Sequence, residues 1–258
     1  VDQITLIAAA VDVDGSASGQ ATSGAIINMG TTAISAATVT GDTGLFISKN
    51  LTEIAAGKAS YLFAADATTN ISDVDSIDGI ENIIGTAAID FIVGSSGANV
   101  INTGGGGDTV VAGDGGDTIN VGNAATVVAA TRIDGGPGTD NVNVTADNVG
   151  VGAVFNDLTG VETITVVPNA TTSNNITIAL THTAANTEAM TIIAAALIDT
   201  SAQLTIDASA DAEVDGVLTI IGGAGNDTIT AGDGGGSITG GGGADAITGH
   251  TGADVINL

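Results

Sequence analysis

The sequence predicts an all-β chain built from thin, stacked layers, and three observations carry that expectation. First, the 258 residues include 39 Gly, 4 Phe, 1 Tyr and no Trp, so an aromatic core is ruled out and small side chains must pack closely. Second, a nine-residue period recurs in two blocks, 85–120 and 222–257. Third, the stretch between them alternates in short β-branched segments divided by Asn, Gly and Asp, and no stretch joins a long 3.6-residue period to a helix cap.

Taken in order, residues 1–84 read as an N-terminal β-rich region, less regular than the rest, with Ala-rich strands expected around Ile4 to Val13 and Tyr61 to Ala65. Residues 85–143 form the first repeat block, opening with GTAAIDFIV, GSSGANVIN, TGGGGDTVV and AGDGGDTIN. Their sixth positions are Asp90, Asn99, Asp108 and Asp117, and their eighth are Ile92, Ile101, Val110 and Ile119. An isolated copy, GGPGTDNVN at 135–143, adds Asp140 and Val142. Residues 144–221 read as intervening strands continuous with the repeats. There Val161, Thr163, Thr165 and Val167 alternate with Glu162, Ile164 and Val166, and Ile176, Ile178 and Leu180 alternate with Thr177 and Ala179. Residues 222–258 form the second block: GGAGNDTIT, AGDGGGSIT, GGGGADAIT and GHTGADVIN. Its sixth positions are Asp227, Gly236, Asp245 and Asp254, and its eighth are all Ile. Across both blocks every eighth position is Ile or Val and six of eight sixth positions are Asp, a register that low complexity alone does not hold.

This pattern has a chemistry. Glycine permits the positive φ of tight turns and bares backbone carbonyls. Calcium takes six to eight oxygens and accepts carboxylates and carbonyls alike. If each nonapeptide is one turn and one strand, two make a coil, the Ile or Val points inward, and carboxylates 18 residues apart stack on one edge. The expected pairs are Asp90 with Asp108, Asn99 with Asp117, and Asp227 with Asp245; Asp254 faces Gly236, a weaker site. With Asp140 and the third-position Asp114 and Asp233, these are the candidate metal ligands for several Ca2+ ions. Two buried aliphatic side chains per coil fall well short of the entropy of ordering it, so the coils are expected to be folded with calcium and loose without it. Zinc lacks Cys and His partners here, and magnesium dehydrates reluctantly.

The nonapeptides resemble the G-G-x-G-x-D-x-U-x repeat of the RTX calcium-binding proteins, most closely at Gly222 to Thr230. The resemblance implies a right-handed parallel β-roll or β-helix, elongated, with Ca2+ between successive turns. Leu158-Thr-Gly-Val161-Glu162-Thr-Ile164, Gly79-Ile80-Glu81-Asn82-Ile83 and Leu204-Thr-Ile-Asp-Ala-Ser209 resemble linkers of bacterial RTX surface-layer proteins. The family's C-terminal secretion signal is not evident, and the chain stops at Leu258 directly after a repeat. No basic leader or initiator Met stands at Val1, which suggests a processed chain or a fragment.

Charge and composition exclude much else. Lys49, Lys58 and Arg132 are the only bases against 24 Asp and 5 Glu, for a net charge of −26. Such a chain cannot neutralise a phosphate backbone and is repelled by anionic lipid, so neither nucleic acid nor an acidic membrane surface is an expected partner. No apolar run is long enough for a membrane span. The absence of Cys removes disulfides and thiol catalysis. His182 and His250 read as a strand-end residue and a tolerated turn residue. No Ser-His-Asp arrangement, H-E-x-x-H or Walker Lys is present, and the paired carboxylates lie in calcium register rather than as a glycosidase pair. Asp12-Val-Asp14-Gly15 reads as a turn, since the first Asp and terminal Glu of an EF-hand loop are missing.

The expectation is a non-enzymatic, secreted structural protein at the cell surface or outside the cell. It would be a calcium-stabilised subunit that self-assembles into a bacterial surface layer or filament, with cell-surface polysaccharide as a further candidate partner. The alternative is a calcium-dependent folding and secretion module of a larger secreted enzyme or adhesin. A carbohydrate lyase or hydrolase on a β-helix is disfavoured by three bases and five aromatics in the whole chain.

Overall fold

The computed structural model describes residues 81–123, 131–146, 153–169, 175–180, 189–209 and 217–258, apart from Ala88, Asn156 and His250, together with six short strands before residue 81. Asp12, Asp14, His182 and His250 lie outside the described residues, as do 6–13 and 62–65 of the two expected N-terminal strands.

Among the described residues every regular element is a strand. The longest sheet has ten, in the order β1 (Gln3–Thr5), β7 (Asn82–Ile84), β9 (Val100–Asn102), β11 (Thr118–Asn123), β13 (Asn141–Thr145), β16 (Thr163–Val167), β18 (Met190–Ile193), β20 (Leu218–Ile221), β22 (Gly236–Thr239) and β24 (Val255–Asn257). A second sheet contains β15 (Asp157–Thr159), β12 (Arg132–Asp134), β10 (Thr109–Val111), β8 (Phe91–Val93), β2 (Ala25–Asn28), β5 (Lys58–Tyr61) and β6 (Asp75–Ser76). A third contains β14 (Ala153–Phe155), β17 (Ile176–Leu180), β19 (Leu204–Asp207), β21 (Thr228–Thr230) and β23 (Ala246–Thr248). Strands β3 (Ile34–Ser35) and β4 (Glu53–Ile54) form an antiparallel pair of their own.

From β7 onward the chain alternates between the long sheet and one of the other two, except that β14 and β15, one in each of those two, follow one another between β13 and β16, and every pairing is parallel. The result is a β-solenoid. The strands are short because each nonapeptide holds only three residues, x-U-x, free of turn chemistry. Alternation along a strand turns U inward and its neighbours outward. In β11, for example, Ile119 is buried while Thr118 and Asn120 are half-buried. In register down the long sheet this makes an aliphatic column from Ile83 through Ile101, Ile119, Val142, Ile164 and Ile192 to Ile220 and Ile238. Val110 and Ile133 from the second sheet and Ile178, Ile206 and Ile229 from the third belong to the same buried core. In β24, the last strand of the long sheet, Ile256 is 44% exposed.

The repeat sets the length of a coil only inside the blocks. The step between paired residues is 18 from Val100 to Thr118, 23 from Thr118 to Asn141, 22 from Asn141 to Thr163 and 28 from Thr163 to Thr191. It returns to 18 from Leu218 to Gly236. The extra residues enlarge the turns and leave the register intact. At the other end, β1 and β2 add in parallel to β7 and β8, and β5 and β6 then continue the second sheet in antiparallel sense.

Candidate metal centre

The residue at the sixth position of each nonapeptide ends the turn and immediately precedes a strand. Stacking the strands therefore stacks these residues. Asp90, Asn99, Asp108, Asp117, Asp140 and Asp227 are all buried, whereas Asp245 and Asp254, in the last coil, are half-buried. Of the two third-position residues, Asp114 is exposed and Asp233 is half-buried, where its Oδ1 accepts from the Thr251 hydroxyl at 2.8 Å.

The buried carboxylates form ladders. The Asp90 N–H donates to Asp108 Oδ1 at 2.9 Å, and the Asn99 N–H to Asp117 Oδ1 at 2.7 Å. The latter ladder continues from the Asp117 N–H to Asp140 Oδ1 and from the Asp140 N–H to Glu162 Oε2, both at 2.7 Å. In the second block the Leu204 N–H donates to Asp227 Oδ1 at 3.0 Å and the Asp227 N–H to Asp245 Oδ1 at 2.9 Å. Each rung thus donates to the carboxylate of the coil that follows it. The second carboxylate oxygen faces its own turn: Asp90 Oδ2 accepts from the Thr86 N–H at 2.6 Å and Asp227 Oδ2 from the Gly223 N–H at 2.8 Å. Asn99, an amide, keeps the contact with its own turn, accepting from the Ser95 N–H at 2.8 Å, but meets the preceding coil as a donor, from Nδ2 to the Glu81 carbonyl at 3.4 Å.

The three expected pairs are thereby joined, and Ser237 pairing with Val255 sets Gly236 beside Asp254. Three ladder members escaped the sequence reading. Glu162 occupies the sixth-position place, its register fixed by Asn141 pairing with Thr163. Its signal was present, because Glu162-Thr-Ile164 is an acid-x-U triple. Thr131 fills the equivalent place next to Asp108, and Leu204 the place next to Asp227. Neither carries a carboxylate, so no pattern of acids could have found them.

Burial opposes charge on these groups. It pushes the Asp108 carboxyl up from 3.8 to about 7; the Asp90 N–H works against the rise and the Asp90 carboxylate adds to it. Burial likewise lifts Asp117 to about 6, against the Asn99 N–H and with the help of Asp140. Asp227 is raised for the same primary reason, opposed by the Leu204 and Gly223 N–H groups. By contrast, Asp199, on an exposed turn, and Asp207, at the exposed end of β19, are held below the usual range by hydrogen bonds from Ser201 and Ser209.

A cation would relieve this cost, and the donors suit calcium. Asp117 Oδ2 is buried with no hydrogen-bond donor. The first-position glycines stand where oxygens converge. A Cβ at Gly85 would meet the Thr103 carbonyl and Asp90 Oδ2, one at Gly94 the Ala112 carbonyl and Asn99 Oδ1, and one at Gly222 the Gly240 carbonyl and Asp227 Oδ2. Each such point is lined by a carboxylate or amide oxygen from its own turn and a carbonyl from the next coil. Among the described residues no three His, Cys, Asp or Glu side chains converge. Backbone carbonyls must therefore supply most of the oxygens, which hard, irregularly coordinated calcium accepts and zinc does not.

No curated protein matches the chain, and no solved structure does. A family model described as RTX calcium-binding nonapeptide repeat (4 copies) matches residues 77–120, 219–235 and 230–258. These segments hold nine of the ten candidate ligands named from the sequence, all but Asp140. Over residues 77–120 and 219–258 the chain carries RTX calcium-binding nonapeptide repeats.

Proposed function

We propose that this chain is a calcium-stabilised structural protein that works outside the cell, as a self-assembling subunit of a surface layer or filament. The observation that carries the reading is the carboxylate ladder. It places acidic groups inside the solenoid, where burial raises Asp108, Asp117 and Asp227, in a chain that already bears −26. Calcium between coils would hold Asp90, Asp108, Asp117, Asp140 and Asp227 ionised and bind each turn to the next. It would supply cross-linking charge, while the turn glycines keep the carbonyls within reach. Millimolar calcium is an extracellular condition, and sites built largely from carbonyls suit that range. The described residues form a solenoid whose polar groups are spent on stacking its own coils, as a structural module requires.

Light scattering of the purified chain, in millimolar calcium and then in excess chelator, tests this. Large assemblies that dissolve on chelation are expected. A compact monomer in calcium that only expands with chelator would overturn self-assembly and leave a calcium-dependent folding module of a larger secreted protein.

A further inference from the structure

The outward face of the long sheet carries no charge. From β7 to β24 its outward positions are Asn, Thr, Ser, Ile and Val throughout, with no Asp, Glu, Lys or Arg. One column reads Thr118, Asn141, Thr163, Thr191, Thr219 and Ser237 in continuous register. The parallel column two residues along includes the half-buried Ile193 and Ile221. At the margins Val100, Val167 and Val255 are 39%, 36% and 59% exposed. The other two sheets differ, since Arg132, Asp134 and Asp207 lie on their strands with Asp134 and Asp207 exposed.

We infer that this face is where one copy of the chain meets another, long sheet against long sheet. The inference rests on the self-assembly proposed above and names its contact. Two copies, each at −26, repel wherever acids are displayed. This face lets them approach without bringing like charges together. Parallel sheets ordinarily have both faces covered, and among the described residues only the inner one is covered, by the solenoid's own core. The same patch on both partners makes the contact isologous, which adds no free edge. Nine strands at about 4.8 Å, each about 10 Å wide, give roughly 430 Å² per copy. The pair therefore buries on the order of 900 Å², at the weak end for a specific contact. A single pair is then transient, and because an isologous contact closes on two copies it supplies the dimer that other contacts assemble further.

The test uses the full chain in millimolar calcium. Thr163→Glu combined with Thr219→Glu places two charges on the face, two strands apart so that they do not oppose each other directly. Thr205→Glu, on the third sheet, is the matched control. Sedimentation should show the double variant at a mass well below the parent's and the control assembled like the parent, with far-UV CD reporting the same calcium-induced fold in all three. A cross-link covers the case in which the double variant fails to fold. Because the chain has no Cys, Thr191→Cys alone should give a disulfide-linked dimer under mild oxidation, and Thr205→Cys should not. Assembly of a folded double variant at parent size would overturn this face while leaving self-assembly intact. So would equal cross-linking from both cysteines. A parent chain that stays monomeric in calcium would overturn both proposals.

Discussion

Protons should substitute for calcium in this solenoid. In the folded chain the Asp108 carboxyl titrates near 7, against 3.8 for the ordinary group. Between those values the folded state holds a proton that the unfolded chain has released. The unfolded state then binds fewer protons, so stability falls as pH rises. The penalty is absent below about pH 4 and complete above about pH 7. At about 1.4 kcal/mol per tenfold change it reaches roughly 4 kcal/mol, of which about 2–3 kcal/mol develops between pH 5 and pH 8. Asp117 and Asp227 act in the same direction. After exhaustive removal of calcium, far-UV CD should therefore show little β-structure at pH 8 and a gain on acidification to pH 5. In millimolar calcium the folded signal should persist at pH 8, because the bound cation favours the ionised carboxylate. Asp108→Asn is the matching variant, since Asn99 already shows that an amide fits this position. Without calcium it should reduce the pH 5 to pH 8 loss by about 2–3 kcal/mol in urea unfolding. A calcium-free chain equally folded at both pH values, or an Asp108→Asn chain with the parent's full pH dependence, would refute the reasoning.

Three further outcomes follow from packing. Ile119 is completely buried in the aliphatic column, and Ile119→Ala should cost about 2–5 kcal/mol in denaturant unfolding in calcium. Gly222→Ala drives a Cβ into the Gly240 carbonyl and Asp227 Oδ2; a loss on the order of 3 kcal/mol and weaker calcium binding by calorimetry are expected. Glu162→Ala removes the acceptor of the Asp140 N–H and should cost about 1–3 kcal/mol, whereas Glu162→Gln, which keeps an acceptor, should stay near the parent in the same unfolding assay.

Much of this was legible because position and period coincide in a nonapeptide. An Ile or Val two residues after an Asp must turn inward if the Asp ends a turn. Ile92, Ile101, Val110 and Ile119 do so, and the isolated copy at Asp140 and Val142 joins the same stack. The alternation in 176–180 likewise placed Ile176, Ile178 and Leu180 inside. Coil length between the blocks was not legible. A turn of 22, 23 or 28 residues meets the same register, since strand pairing constrains only the three to five residues that pair. The parallel addition of β1 and β2 to the first coil was also hidden. It depends on long-range pairing that local composition does not encode. Glu162 was missed because the acid was sought as Asp, although a longer side chain reaches the same N–H.

The direction of the ladder gives the solenoid a beginning and an end in time as well as in space. Where the ladder runs acid to acid, a sixth-position N–H finds its carboxylate only when the next coil is laid down, as Asp90 waits for Asp108 and Asn99 for Asp117. A chain delivered N-terminus first therefore closes like a ratchet, every new turn locking the one behind it. The most recent turn is always the loosest. Among the described coils the least covered is that of β23 and β24, where Ile256 stands 44% exposed, so unzipping of this segment should start there and run backward toward the earlier repeats.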